Sequence, residues 1–281
     1  MIITKNIIVS GKHKKPILTD VFYKENKTAK PVVIFCHGYK GFKDWGAWNL
    51  MAEVFADSEF FFIKFNFSHN GGTLKQPIDF PDLEAFGNNN YTKELDDLEA
   101  IINWICNNSK LKNELNLNDI ILLGHSRAGG IVTIKAEEDN RIKKVISLAG
   151  VSSFGNRTST TGNLEQWKKD GVKHVLNGRT KQQMPHYYQF YEDFIKNEKR
   201  LTIRRAVSNL NIPFLIIHGG NDTSVLVDEA HILHSWNSKS KLRIIENANH
   251  VFGASQPYTE KYVPQHLEEV IKKIIIFLKR E

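Results

Sequence analysis

Gly124-His125-Ser126-Arg127-Ala128-Gly129 decides how this chain is read. The apolar run Asp119-Ile-Ile-Leu-Leu123 comes before it, and the helical pattern Gly130-Ile-Val-Thr-Ile-Lys-Ala136 follows. The pattern predicts a strand, a tight turn with one serine at its apex, and a helix. A turn that sharp strains the backbone at the serine, so the residues two before and two after must be nearly free of side chain. Gly124 and Ala128 meet that need. The turn exposes Oγ, and the helix N-terminus sets backbone N–H groups beneath any anion that forms there.

A serine needs a base, and the base needs an orienting acid. Pro213-Phe-Leu-Ile-Ile-His218 reads as a buried parallel strand running into Gly219-Gly220-Asn221-Asp222. Lys241-Leu-Arg-Ile-Ile-Glu246 reads as another strand, running into Asn247-Ala-Asn-His250. Asp222 and His250 therefore fall on loops just past the C-terminal ends of strands, as Ser126 does. Open parallel sheets collect ligands and catalytic groups along that edge. Asp228 is the rival acid, but it falls inside the helix predicted next. Pro31-Val-Val-Ile-Phe-Cys36 is a further strand, followed by His37-Gly38-Tyr39-Lys40-Gly41.

Together these features resemble the α/β-hydrolases, in which nucleophile, acid and base follow one another as Ser, Asp and His. The resemblance implies an α/β fold with a mostly parallel eight-stranded sheet and helices on both faces. It implies Ser126 as nucleophile, His250 as general base and Asp222 as the group that orients it. The loop at His37-Gly38 then supplies the second oxyanion donor, so the backbone N–H groups of Tyr39 and Arg127 form the oxyanion hole. No metal and no organic cofactor are expected. His37 reads as structural, and His125 as a packing or hydrogen-bonding residue. A serine at the turn argues against the dehalogenase and epoxide-hydrolase relatives, which place an aspartate there.

With 281 residues, 41% of them hydrophobic, the chain fits one α/β domain with an insertion. The net charge is +7, with lysines and arginines dispersed and not interleaved with aromatics, so no nucleic-acid partner is expected. No window is long and apolar enough for a membrane span, and the N-terminus lacks the marks of a signal peptide. The expectation is a cytoplasmic protein. Cys36 and Cys106 suit a reducing compartment and lack metal-ligand spacing. His231 and His234, three apart, read as an exposed helix face and not as a metal pair.

Strands are predicted at 2–9 and 17–23, as an antiparallel start, and at 31–36, 60–67 and 143–149. Helices are predicted at 45–57, 91–109 and 260–280. Leu95, Leu98, Ile101, Ile102 and Ile105 repeat at helical spacing in the second of these. The chain divides into a first core part at 1–150, an insertion at 151–208 and a second core part at 209–281. A crossover between parallel strands needs only about a dozen residues, but about sixty separate Ala149 from Pro213. The insertion is rich in aromatics: Phe154, Trp167, Tyr187, Tyr188, Phe190, Tyr191 and Phe194. Residues 163–170 suggest a short helix, and Asn177-Gly178 is a hairpin-turn signal. A helix-plus-hairpin lid over Ser126 is expected, with Phe154, Trp167, Tyr187 and Tyr188 lining a substrate pocket.

This lid, the His37-Gly38-Tyr39 loop and Glu192-Asp193-Phe194 resemble the cinnamoyl/feruloyl-esterase-like serine hydrolases. That resemblance implies cleavage of small carboxylic esters through an acyl-enzyme. An acylaminoacyl-peptidase-like or amidase activity stays open. So does a coenzyme A thioesterase, with Lys168, Lys169, Lys173 and Lys181 available to phosphates. A non-catalytic ligand receptor on the same fold is the distant alternative. His69 lies at a strand end, either in the pocket or outside it. The Arg127 guanidinium has three readings: partner of a substrate carboxylate, partner of a lid acid, or surface ion pair.

Overall fold

Alternation along the central strands divides the interior in two. On β3 (Lys30–Cys36), Val32, Ile34 and Cys36 face one side, and Val33 and Phe35 the other. On β5 (Leu115–His125), Ile120 and Leu122 join the first side, and Ile121 and Leu123 the second. Both sets are fully buried. Strands buried on both faces are nearly continuous apolar runs and need helices on each side.

The computed structural model describes residues 1–158 and 162–280. The remaining sheet strands are β1 (Ile2–Val9), β2 (Ile17–Tyr23), β4 (Phe61–Asn66), β6 (Ile142–Leu148), β9 (Phe214–Gly219) and β10 (Lys241–Ile245). Eight strands form one sheet in the order β1-β2-β4-β3-β5-β6-β9-β10. β1 and β2 pair antiparallel, as do β2 and β4, and every other pairing is parallel. The antiparallel start is as expected. Helices α1 (Trp48–Asp57) and α11 (Gln265–Arg280) contribute Trp48, Met51, Leu267 and Ile274 to the Val33–Phe35 side. On the opposite side, α3 (Tyr91–Cys106), α4 (Arg127–Glu138), α9 (Ile203–Asn209) and α10 (Asp228–Trp236) contribute Leu95, Ile131, Ala206 and Ala230. A short helix, α2 (Leu83–Gly87), precedes α3. The Asn90 side chain starts α3 by accepting the Lys93 N–H at 2.9 Å.

One feature of β4 escapes an apolarity reading. Lys64, inside its aromatic run, is fully buried. Its Nζ lies 2.8 Å from Asp20 and 2.6 Å from Asp44. Lys43 bonds the same two carboxylates at 2.8 and 2.5 Å. Two cations thus alternate with two anions, tying β2 and β4 to the loop after β3. Burying one such charge alone is costly, so the four hold only as a set.

Between β6 and β9 lie α5 (Gly155–Thr158), α6 (Leu164–Asp170), the hairpin β7 (Val172–Leu176) and β8 (Gln183–Tyr187), α7 (Gln189–Lys196) and α8 (Glu198–Leu201). The hairpin is present, but its turn is not the two-residue turn that Asn-Gly suggests. Asn177 N–H donates to Gln182 O at 2.9 Å, and Lys181 N–H to Asn177 O at 2.8 Å. The left-handed residue is Lys181, with φ +61, and neither Asn177 nor Gly178 has a positive φ. The Asn177 side chain accepts the Arg179 N–H at 3.1 Å, building a longer turn around itself.

Candidate active site

Ser126 joins β5 to α4 at φ +59, ψ −122, a conformation that strains a residue with a side chain. Its own N–H donates to Leu148 O at 2.8 Å, and its carbonyl accepts the Gly129 N–H at 2.9 Å. Space around it explains the small neighbours. A Cβ at Gly124 would come within 2.2 Å of Ala128 O, and one at Gly129 within 2.6 Å of Ser147 Oγ. A Cβ at Gly38 would meet Ser126 Cβ at 2.8 Å. The loop after β3 therefore lies directly against the serine turn. Neither the Tyr39 nor the Arg127 backbone N–H has a partner among the described residues.

Asp222 and His250 converge on the serine from loops after β9 and β10. Ser126 Oγ is 3.0 Å from His250 Nε2, and His250 Nδ1 is 2.7 Å from Asp222 Oδ2. With Nδ1 protonated and donating to the carboxylate, Nε2 is left to accept the serine O–H. Burial alone would raise the Asp222 pKa. Hydrogen bonds from His218, His250 and the Val225 N–H outweigh it and hold the carboxyl well below the usual range. Its Oδ1 accepts the N–H groups of Ser224 at 2.8 Å and Val225 at 2.9 Å. Gly219 lets the two loops meet, since a Cβ there would lie 2.3 Å from Ala248 O.

Three other histidines brace this arrangement. The first is His125, whose Nε2–H donates to the His250 carbonyl at 2.9 Å. Burial lowers its pKa to about 3, with the neighbouring His250 acting in the same direction, so it is held neutral. His218, fully buried, points Nε2 at Val225 O, 2.8 Å away, and at Asp222 Oδ2, 3.3 Å away. His37 donates from Nδ1 to Gly38 O at 2.9 Å and accepts the Phe67 N–H at 3.3 Å. Burial drives its pKa down to about 4. His37 and His125 fit the structural parts expected of them. In sequence His218 reads only as the end of a strand; it meets Asp222 because the chain turns back directly after β9, with the Asp222 N–H on Gly219 O at 3.3 Å.

A cavity of about 400 Å³ opens above Ser126 and His250, a size suited to a small organic ligand. Tyr39, Tyr91, Phe154 and Phe190 give it aromatic walls, and Lys40, Arg127, Arg157 and Lys173 line it with charge. Of the four aromatics expected here, only Phe154 is in place, stacked on Tyr91 at 4.0 Å. The expectation for Trp167, Tyr187 and Tyr188 is corrected. Trp167 is buried and donates from Nε1 to His186 O at 2.8 Å, with Tyr188 packed against it. Tyr187 turns outward, its hydroxyl donating to Glu84 and its ring resting on Gly87. In a hairpin successive side chains point to opposite faces, and it is His186 that points inward. Its Nε2 accepts the Tyr39 hydroxyl at 2.8 Å. Burial pushes the His186 pKa down to about 3 and that of Tyr39 up to about 12. In sequence Tyr91 reads only as the start of a helix and Phe190 only as one of the insertion's aromatics, because facing a cavity and facing a core look alike in sequence.

The remaining candidates lie elsewhere. His69 is outside the cavity, bonded through Nδ1 to Ser68 Oγ at 2.8 Å. Asp228 and His231 are exposed on α10, and His234 bonds Ser240 Oγ at 2.7 Å. Among the described residues no group of three or more potential ligands could hold a metal ion. Nor is any described helix long and apolar enough to cross a membrane. Lys168, Lys169 and Lys181 are not among the cavity residues; Lys173 is.

Residues 31–173, from β3 through the serine turn into β7, match the sequence model of the alpha/beta hydrolase fold. The chain belongs to the α/β-hydrolase family. Within it, the chain is 23% identical over 265 residues to a Mycoplasma genitalium protein named as an esterase/lipase; the alignment covers 85% of this chain and 89% of that one. It superposes on Est1E from Butyrivibrio proteoclasticus with a TM-score of 0.72 at 15% identity, covering 99% and 100% of the two chains. The same enzyme with ferulic acid bound gives 0.74 at 17% identity, with 98% of each chain covered. A Pyrococcus horikoshii acylaminoacyl peptidase gives 0.66 at 14% identity, covering all of this chain and 42% of that one. These superpositions establish a shared α/β-hydrolase fold.

Proposed function

We propose that this α/β-hydrolase is a serine esterase that cleaves carboxylic esters through an acyl-enzyme. The observation that carries the reading is the continuous relay from Ser126 Oγ through His250 to Asp222, at 3.0 and 2.7 Å, opening into a cavity of small-ligand size. In the proposed mechanism Ser126 Oγ attacks the ester carbonyl while His250 Nε2 takes its proton. The Tyr39 and Arg127 N–H groups receive the negative charge on the carbonyl oxygen. His250 then gives the proton to the departing alcohol, and water repeats the sequence on the acyl-enzyme. Asp222 keeps the imidazole in the right tautomer and steadies its positive form. Support also comes from the Mycoplasma genitalium relative named as an esterase/lipase and from the likeness to Est1E. Residues 151–208 act as the lid, since His186, Phe154 and Phe190 complete the cavity walls.

The test is labelling by a fluorophosphonate probe together with turnover of 4-nitrophenyl esters. Both should be present in the native protein and absent in Ser126→Ala. Labelling that persists without Ser126, or no turnover of any ester, would refute the reading.

A further inference from the structure

The cavity above Ser126 is charged on one sign only. Lys40, Arg127, Arg157 and Lys173 line it, and among the described residues no aspartate or glutamate does. Arg157 and Arg127 have carboxylates behind the wall. Arg157 forks onto Glu229. Arg127 is different. Its side chain is 15% exposed, yet its one ion pair is a single contact from Nη1 to Glu94 at 3.3 Å. The other guanidinium N–H groups have no acceptor among the described residues. The group is caged by aromatic rings, with Tyr39 at 4.3 Å, Tyr91 at 5.4 Å and Phe190 at 5.5 Å from its central carbon. Lys40 stands on the same Tyr39 ring at 5.1 Å and has no carboxylate partner among the described residues.

A guanidinium fork suits a carboxylate because two parallel N–H groups meet two oxygens. Fixed in an apolar cage, it attracts an anion far more strongly than it would in water. Aromatic faces hold the cation but offer no acceptor to its in-plane N–H groups. That leaves the donors of Arg127 open toward the ligand space, beside the serine.

We infer that the substrate is an ester carrying a second, ionised carboxylate, received by the Arg127 guanidinium with Lys40 at its side. The inference rests on the esterase reading above and narrows its substrate class. Ester cleavage consumes water and releases an acid and an alcohol; the distal carboxylate takes no part in bond making and serves to hold the ester carbonyl over Ser126. The carboxylate belongs either to the acyl part or to the alcohol part, and the experiment separates the two.

Two matched pairs are assayed for kcat/KM. For the acyl side, mono-4-nitrophenyl glutarate is set against 4-nitrophenyl pentanoate. For the alcohol side, 4-acetoxybenzoate is set against 4-methylphenyl acetate. The charged member of at least one pair should be favoured by about tenfold or more. In the double variant Arg127→Gln/Glu94→Gln, which removes the charge without stranding Glu94, the ratio should fall to within about threefold of unity. Lys40→Met should lower it less. Reading a ratio within each variant cancels any general damage near the serine. No charge preference in either pair, or one that survives in the double variant, overturns the inference while esterase activity stands. Binding is measured separately by ligand-observed NMR on Ser126→Ala, with glutaramate set against pentanamide. A protein that hydrolyses no ester but still prefers glutaramate through Arg127 refutes the esterase reading and keeps the anion site. Equal binding of the two amides counts against the anion site itself.

Discussion

Gly124, in the turn that carries Ser126, and Gly178, in the turn of the hairpin, differ in what a side chain there would meet. A Cβ at Gly124 would press to 2.2 Å from Ala128 O, whereas one at Gly178 has nothing within 4 Å. The contrast extends to their regions. Around Ser126 the site is made by backbone: a strained φ, glycines that let chains touch, and loops at the ends of parallel strands. The described residues of 151–208 contribute by side chains. His186 reaches Tyr39, Phe154 stacks on Tyr91, and the Trp167 indole donates to the His186 carbonyl of the hairpin. A site built on backbone tolerates few substitutions in place. One built on side chains is free to vary, so under the proposed function chemistry belongs to the first region and selection of substrate to the second.

The largest expected effect lies in the backbone-built half. Ser126→Ala or His250→Ala should reduce kcat by about 10⁴-fold or more, and the double variant should lose little further, because the two act as a unit. Steady-state kinetics on a 4-nitrophenyl ester decide this, and additive losses would mean that the residues act separately.

A second effect is pH-dependent and lies on α3. Asp97, on α3, is buried; it accepts the Ser68 N–H at 2.8 Å through Oδ2, and its Oδ1 is unpartnered among the described residues. Burial raises its pKa from 3.8 to about 7. The folded protein therefore keeps a proton that the unfolded chain has released between about pH 4 and 7. Stability contributed by this group is full below about pH 4 and falls as pH rises to 7, by up to about 4 kcal/mol. Denaturant melts at several pH values should show that decline, and Asp97→Asn should flatten it. An unchanged slope in the variant would assign the decline to another group.

Glycine substitutions test the contrast directly. Gly124→Ala should cost about 3 kcal/mol, at the upper end of what overpacking does. Gly178→Ala should stay within about 0.5 kcal/mol. Equal losses would erase the distinction between the halves.

Selection should separate within the variable half as well. Phe154→Ala should shift kcat/KM between aromatic esters and acetate esters by about tenfold, since about 1.4 kcal/mol of lost contact is tenfold. Tyr187→Phe, which loses only the hydroxyl bond to Glu84, should leave that ratio unchanged and lower stability by about 1 kcal/mol or less. If Tyr187→Phe moves the ratio as far as Phe154→Ala, Tyr187 does not face away from the ligand space.

How far each half could be read in advance follows from the same contrast. Gly124, Ser126 and Ala128 announce their turn because only small residues fit it, and backbone sterics are local to the chain. Asp222 and His250 were readable as loop residues because apolar runs mark the strands before them. The sheet and its antiparallel start followed from the same runs. Trp167 and Tyr187 misled, because an aromatic residue carries no sign of which face it will occupy. Lys64 misled in the other direction, as a charge hidden in an apolar strand.

The sequence by itself determined the order of the sheet strands and of the longer core helices, the serine turn, and the strand-end positions of Asp222 and His250. Each depends on periodicity, or on which residues a tight backbone admits. Only the tertiary structure decided that His218 braces Asp222, that His186 and not Tyr187 faces the ligand space, and that Asp20, Lys43, Asp44 and Lys64 share one buried cluster. Those contacts join residues on different elements, and several join residues far apart in the chain. They follow from how elements twist, pack and exclude water together, which no local pattern encodes.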